Sequence, residues 1–167
     1  MQYDVVIIGG GPAGIASAIY CKRANLNVII LDSYVIGGNP NNYLEIENYP
    51  GMGKISTSSL IDNFTAHLQE LDIPYAEFCN VKTIDTTTNT VIVEDSVYKE
   101  EIYNYKHLII ATGSRPRMLG VQGEEEHIGK GVHYCAICDG PLYKDKIVAV
   151  IGGGNSACEE ALGLAKI

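Results

Sequence analysis

Two stretches of this chain are near-copies of one another, and in each an apolar run ends on a glycine-rich turn that leads into a helical pattern. "YDVVIIGGGPAG" stands near the start and "KIVAVIGGGNSA" near the end, so that Gly9-x-Gly11-x-x-Gly14 aligns with Gly152-x-Gly154-x-x-Ala157. A β-branched run that passes through glycines straight into a helix is the opening of a βαβ unit. Such a unit needs a parallel sheet with helices packed on it, which sets the fold class as α/β. In the first copy the pattern is complete. Pro12 and Ala13 open a helix through "GIASAIYCKRAN", and "NVIILD" is a second buried strand closing on Asp32.

The turn has a chemistry of its own. Gly9 permits a tight bend, Gly11 lets the backbone approach a pyrophosphate, and Gly14 allows the helix to lie close against the strand. The N–H groups and partial positive charge of the helix start suit that phosphate. Asp32, at the end of the second strand, is placed to accept the hydroxyls of a ribose. A turn without a ligand would account for the glycines but not for the acid, so the first motif predicts dinucleotide binding. The second copy, with Gly152, Gly154, Asn155, Ser156 and Ala157, predicts a phosphate-binding turn, but no distal residue follows it to select a dinucleotide.

Between the copies, "SYVIGGNPNNYLEIENYPGMG" is a long irregular loop, and a loop of that length in a compact domain is usually functional. Ser58 or Ser59 is expected to cap a helix reaching about Leu71. From Ile73 to Tyr105, alternation broken by "TTTN" and "VEDS" predicts a small antiparallel sheet, after which "KHLIIATG" returns to a buried strand. "SRPRMLGVQGEEEHIGKG" is a connector. The expected domains are therefore residues 1–114, a dinucleotide-binding domain, and 115–167, the start of a second one. A lone strand and helix cannot bury both faces of a sheet, so the natural chain is expected to continue beyond Ile167.

Charge narrows the function. The net charge of −8, from 12 basic and 20 acidic residues, argues against nucleic acid or an anionic membrane as partner. Outside the run Glu124, Glu125 and Glu126 the acids are scattered, as on a solvated surface. No apolar run approaches membrane-spanning length. "MQYDVVIIGG" enters a strand pattern without the features of a signal peptide, so a cytoplasmic location is expected.

In that compartment a close cysteine pair is more often catalytic or metal-binding than structural. Cys135 and Cys138, in "HYCAICDG", form such a pair. Zinc needs four ligands, and no second close pair exists, so no metal site is expected. Cys21, Cys79 and Cys158 fall in apparent helix or strand interiors and read as core thiols. For the pair itself a redox dithiol fits best, since CxxC closes a disulfide within a turn and one thiolate can be stabilised there. Asp139 is the nearest group that could exchange a proton with the sulfurs. An exposed aspartate at its reference pKa of about 4 is ionised at neutral pH, so that role requires burial. His133 reads as a hydrogen-bonded structural residue without a catalytic role, and His67, His107 and His127 as incidental.

Together "GGGPAG", the "GG" of Gly37 and Gly38 followed by "ENYPG", "ATGSRPR", "GVHYCAICDG" and "VIGGGNSACEEA" resemble, in order and from end to end, the first half of the low-molecular-weight thioredoxin reductases. The resemblance implies a Rossmann-like FAD domain carrying a small antiparallel sheet, a linker, and a nicotinamide domain bearing the dithiol. Electrons would run from NADPH to FAD, then to Cys135 and Cys138, then to the disulfide of thioredoxin or a similar redoxin. It also implies that Gly37, Gly38, Asn48, Ala111, Thr112 and Gly113 join the FAD site, that Cys138 lies nearer the flavin, that the two domains rotate during turnover, and that the protein is a homodimer. This chain departs from the family in having Asp32 where Glu is usual, His133 where Ser is frequent, and a different loop after Gly38. The basic residues that select NADPH would lie beyond Ile167. Two other readings stand beside this one. One is a dithiol reductase or oxidase on the same fold, serving another redoxin or a small disulfide or fed by ferredoxin; the other is a non-catalytic FAD-binding fragment.

Overall fold

The computed structural model describes residues 1–43, 45–95 and 97–167. Leu44 of the long loop and Ser96 of the expected "VEDS" turn lie outside the described residues. The chain divides into two compact units, Met1–Ser114 and Arg115–Ile167.

The first unit opens as its sequence predicts, with β1 (Gln2–Ile8), α1 (Pro12–Arg23) and β2 (Val28–Leu31). Helix α1 stops where Asn25 takes a left-handed φ of 61°, which a short polar side chain tolerates. The long loop holds a 3₁₀ turn, Asn39–Asn42, and a two-residue ribbon of β3 (Glu45–Ile46) antiparallel to β4 (Ile55–Ser56). Helix α2 (Thr57–Glu70) follows. Its cap is Ser56, whose Oγ accepts from the Ser59 N–H at 3.2 Å, and not Ser58 or Ser59 as the sequence suggested.

The strands β5 (Tyr75–Ala76), β6 (Asn80–Asp85), β7 (Thr90–Glu94) and β8 (Glu100–Ile110) complete one sheet in the order β5-β2-β1-β8-β7-β6. The expected antiparallel sheet and the strand after it are thus a single structure joined through β8. Asn104 is the pivot, because it pairs antiparallel with Thr90 of β7 and parallel with Gln2 of β1. Nor is "KHLII" buried throughout, since Lys106, His107 and Ile110 are exposed. Among the described residues only one edge of this part of β8 is paired, to β1, and no residue beyond Tyr105 is matched to β7.

Alternation along β1 distributes the core. Val5 and Ile7 point to one face and pack with Val28, Ile30 and the helix residues Ile15, Ala18 and Leu68. Val6 and Ile8 point to the other, where Val91, Val93, Tyr103 and Tyr105 of the antiparallel ribbon join Ile29 and Leu31. Cys21 lies partly buried against the first cluster, and Cys79 is buried in the second.

The second unit holds α3 (Glu124–His127), α4 (Ala136–Asp139), a 3₁₀ turn at Gly140–Tyr143, and α5 (Asn155–Leu164). The strand expected over "KIVAVIG" is not formed, and Ile147, Val148 and Ile151 are exposed. A strand exists only by pairing, and among the described residues none lies alongside this run. Cys158 is likewise exposed, contrary to the core reading. Helix α5 turns Leu164 toward Gly140, which leaves Cys158 outside that contact. Among the described residues no helix is long and apolar enough to cross a membrane.

Ile30, fully buried in the first cluster, gives a direct test of this packing. Ile30→Ala should lower unfolding free energy by about 2–5 kcal/mol, the span for deleting such a side chain from a core, as measured by urea titration.

Candidate functional site

The carboxyl ends of β1, β2 and β8 bring the first motif together. Gly9 has a φ of +108°, and a Cβ there would strike the Ala111 carbonyl, so the turn tolerates no other residue without a shift. At Gly14 a Cβ would meet the Gly9 carbonyl, which is how closely α1 approaches β1. Gly37 donates its N–H to the Gly10 carbonyl at 2.8 Å, laying the long loop over the turn, and the Gly38 Cα then faces Gly11. Ala111 N–H donates to the Ile8 carbonyl at 2.7 Å, and Asn39 Nδ2 reaches the Ser114 carbonyl at 3.3 Å. These bonds set Ala111, Thr112 and Gly113 beside the glycines. Asn48 does not join them: it is exposed, and among the described residues it makes no hydrogen bond to this cluster.

Helix α1 begins at Gly11 and Pro12 with no side-chain cap and no acid in its first turn. Its leading N–H groups are therefore open to an external acceptor. Asp32 is already engaged. Its Oδ2 accepts from Gly10 N–H at 2.5 Å and its Oδ1 from Tyr34 N–H at 2.7 Å. A carboxylate has about four lone-pair sites, so capacity remains for hydroxyl donors. The uncapped helix start, the side-chain-free backbone of Gly11 and this held carboxylate together fit a dinucleotide.

In the second unit, Cys135 and Cys138 are joined as a disulfide with an S–S distance of 2.07 Å. Cys135 caps α4, its Sγ accepting from Cys138 N–H at 3.2 Å, while Asp139 N–H donates to the Cys135 carbonyl at 3.0 Å. Cys138 is exposed and Cys135 half-buried. Burial pushes the Cys79 thiol up, so that cysteine is chemically quiet by comparison. The repeated Gly motif is also present here. Gly152 has a φ of +142°, Gly154 caps α5, and Asn155 and Ser156 are exposed ahead of the half-buried Ala157.

Two groups beside the disulfide make hydrogen bonds whose partners the sequence did not specify. Glu124, the first of the run of three acids, is only 3% exposed. It accepts from Leu119 N–H at 2.8 Å, Gly120 N–H at 2.7 Å and the Tyr134 hydroxyl at 2.7 Å. Those donors, Leu119 first, hold its carboxyl below the usual range, and the same bond raises the Tyr134 hydroxyl. The residue before the first cysteine is thereby tied to the connector. The other is His133, whose Nδ1 lies 3.1 Å from Asp139 Oδ2 and whose Nε2 lies 2.8 Å from the Tyr143 hydroxyl.

A family model described as pyridine nucleotide-disulphide oxidoreductase matches residues 3–167. The chain belongs to that family. Among similar oxidoreductases, the thioredoxin reductase of Mycoplasma pneumoniae is 45% identical over 99% of the chain and 51% of its own length. A 34.2 kDa protein in the rubredoxin operon of Clostridium pasteurianum is 42% identical, over 99% of the chain and 53% of that protein. The crystal structure of thioredoxin reductase from Streptococcus pyogenes superposes with a TM-score of 0.78 at 40% identity, over 99% of this chain and 53% of that one. The chain spans about half the length of the curated relatives it matches. Its fold is the Rossmann-like α/β fold of these oxidoreductases.

Glu124 carries a pH dependence whose sign is fixed. A carboxyl held down in the folded state stabilises it above the unfolded pKa of about 4.3, and that stability is lost as pH falls through the folded value. Protection of the Leu119 and Gly120 amides, taken against intrinsic exchange at the same pH, should therefore be lower below about pH 4 than at pH 6. Glu124→Gln should raise exchange at pH 6 and flatten its pH dependence; equal protection in both proteins at pH 6 would count against the clamp.

Proposed function

We propose that this chain works in a flavin-dependent oxidoreductase that carries electrons from NADPH through FAD to the Cys135–Cys138 pair and on to the disulfide of thioredoxin or a similar redoxin. One observation carries the reading: a disulfide closed within CxxC, at the start of a helix, stands in a chain that also presents an uncapped glycine cradle for a dinucleotide. The relatives named thioredoxin reductase supply the partner class. On this reading residues 1–114 bind FAD, residues 115–167 carry the dithiol and the first turn of a nicotinamide site, and the enzyme acts as a cytoplasmic homodimer.

FAD, when bound, supplies two-electron transfer between nicotinamide and sulfur. The cradle's own contribution is positional. The N–H groups at the start of α1 and the bare backbone of Gly11 receive the pyrophosphate, and Asp32 receives ribose hydroxyls. Gly37, Gly38 and Ala111 to Gly113 wall the same site. At the disulfide, opening the S–S bond takes two electrons and leaves two sulfurs that each need a proton. Asp139, beside Cys138 and hydrogen-bonded through its backbone to Cys135, is the group that exchanges one of them.

Gly11→Val should abolish flavin binding, because a branched side chain would occupy the space meant for the phosphate; flavin absorbance after purification is the readout, and full occupancy would remove the cradle assignment. Cys135→Ser and Cys138→Ser should each keep flavin reduction by NADPH, followed by stopped flow, while losing thioredoxin reduction. Thioredoxin turnover at the normal rate by either variant would overturn the dithiol path. Asp139→Asn should slow that turnover by ~10²-fold, as for a lost acid.

A further inference from the structure

His133 is the side chain that neither the sequence reading nor the dithiol scheme employs, and it has two partners. Its ring bridges Asp139 and Tyr143, at 3.1 Å from the carboxylate and 2.8 Å from the hydroxyl, with the two rings edge to face at 5.1 Å. The pair is well shielded, with the His133 and Asp139 side chains 17% and 26% exposed, so solvent weakens the contact far less than on an open surface. We propose that His133 is a positioning residue for thiol–disulfide exchange at Cys135 and Cys138, holding Asp139 in place and storing the proton that Asp139 takes from or gives to the sulfurs. The proposal rests on the dithiol reading above.

The arrangement is suited to holding a proton. A neutral imidazole donates Nδ1–H to Asp139 and accepts at Nε2 from the Tyr143 O–H. An imidazolium donates at both nitrogens, and the Tyr143 oxygen then accepts. Because a hydroxyl both donates and accepts, the ring can gain or lose a proton without losing a hydrogen bond.

Other charges lie on the elements around the ring. Tyr134 turns to Glu124, Lys144, Asp145 and Lys146 are exposed to solvent, and Leu164 of α5 with Ile167 beyond it lies at the Gly140 end of α4, whose packed neighbour α5 also carries an exposed Glu159 and a half-buried Glu160. Among the described residues the titratable partners of the ring are Asp139 and Tyr143. Cys135 and Cys138 join the titratable groups of the site when reduced.

The exchange balances without any further reactant. One cysteine thiol gives its proton to the dyad, and its sulfur attacks a disulfide, forming a mixed disulfide and expelling a thiolate. That thiolate takes the proton back. The second cysteine then deprotonates and attacks the mixed disulfide, closing Cys135–Cys138 and releasing the other thiolate, which is protonated in turn. Two electrons and two protons pass from the dithiol to its partner.

The test uses the reduced protein and a small aromatic disulfide whose release is coloured, with rates followed across pH 5–9. The wild-type rate should show two inflections, one where imidazoles titrate, roughly pH 6–7, and one for a thiol. His133→Asn, which retains an N–H for Asp139 but cannot titrate, should lose the first inflection, keep the second, and slow exchange at pH 7 by about tenfold, less than the loss of a whole acid–base group. An unchanged two-inflection profile in His133→Asn would overturn the proposal while leaving the dithiol reading intact. A wild-type protein that exchanges no faster than its Cys135→Ser, Cys138→Ser double variant would instead overturn the dithiol reading. NMR of the His133 imidazole in the wild-type protein keeps the test open should His133→Asn fold poorly. Its titration should coincide with the first inflection and shift in Asp139→Asn; a ring that titrates independently of Asp139 would also defeat the proposal.

Discussion

Strand β1 is the constraint on which the first unit depends. It is hydrogen-bonded on both edges, to β2 and β8, and apolar on both faces, so Val5, Val6, Ile7 and Ile8 are all buried. A strand in that position has no freedom to slide, because a one-residue slip would exchange its two core faces. The glycine turn inherits this rigidity. Gly9 follows directly, its N–H donating to the Leu31 carbonyl, and Gly14 is pressed against it from α1. The cradle is held to a shape by the core beneath it, which is what recognition of a phosphate by backbone N–H groups requires.

The two sites use sequence differently. In the cradle, the atoms proposed to receive a phosphate belong to the main chain, and the side chains that matter are mostly those that are missing. Around the disulfide the side chains act. Glu124, Tyr134, His133, Asp139 and Tyr143 form two short polar networks that each leave their buried groups partnered. One network fastens the connector to the residue before Cys135. The other ends at the residue after Cys138.

What was legible in the sequence follows from range. The β1–α1–β2 unit, its glycines and Asp32 were readable because each signal lies within a few residues of the element it governs. The double role of β8 was not, since nothing in "EEIYNYKHLII" says that its partner changes at Asn104. The run "KIVAVIG" has strand composition, yet composition does not provide a neighbour to pair with. Ser56 was passed over for Ser58 and Ser59 because three of the four residues from 56 to 59 are serines, and only geometry selects the cap. Glu124 sits among identical residues. His133 lies on the far side of a turn from both of its partners, where no helical or strand period would match them.

The pairing of Gln2 with Asn104 has a consequence for how the chain is made. The ribosome emits β1 first, and β2 can join it early, but the other edge and one apolar face stay open until about a hundred further residues have emerged. Closing so long a segment is slow compared with forming the local α1 turn. Over that interval a bare Val-Ile strand edge is available to any other strand nearby, which is the situation in which nascent chains stick to one another. The late arrival of β8 therefore makes the whole interval between the emergence of β2 and that of β8 the first unit's most vulnerable stage, and gives holding factors at the exit tunnel a defined segment to cover.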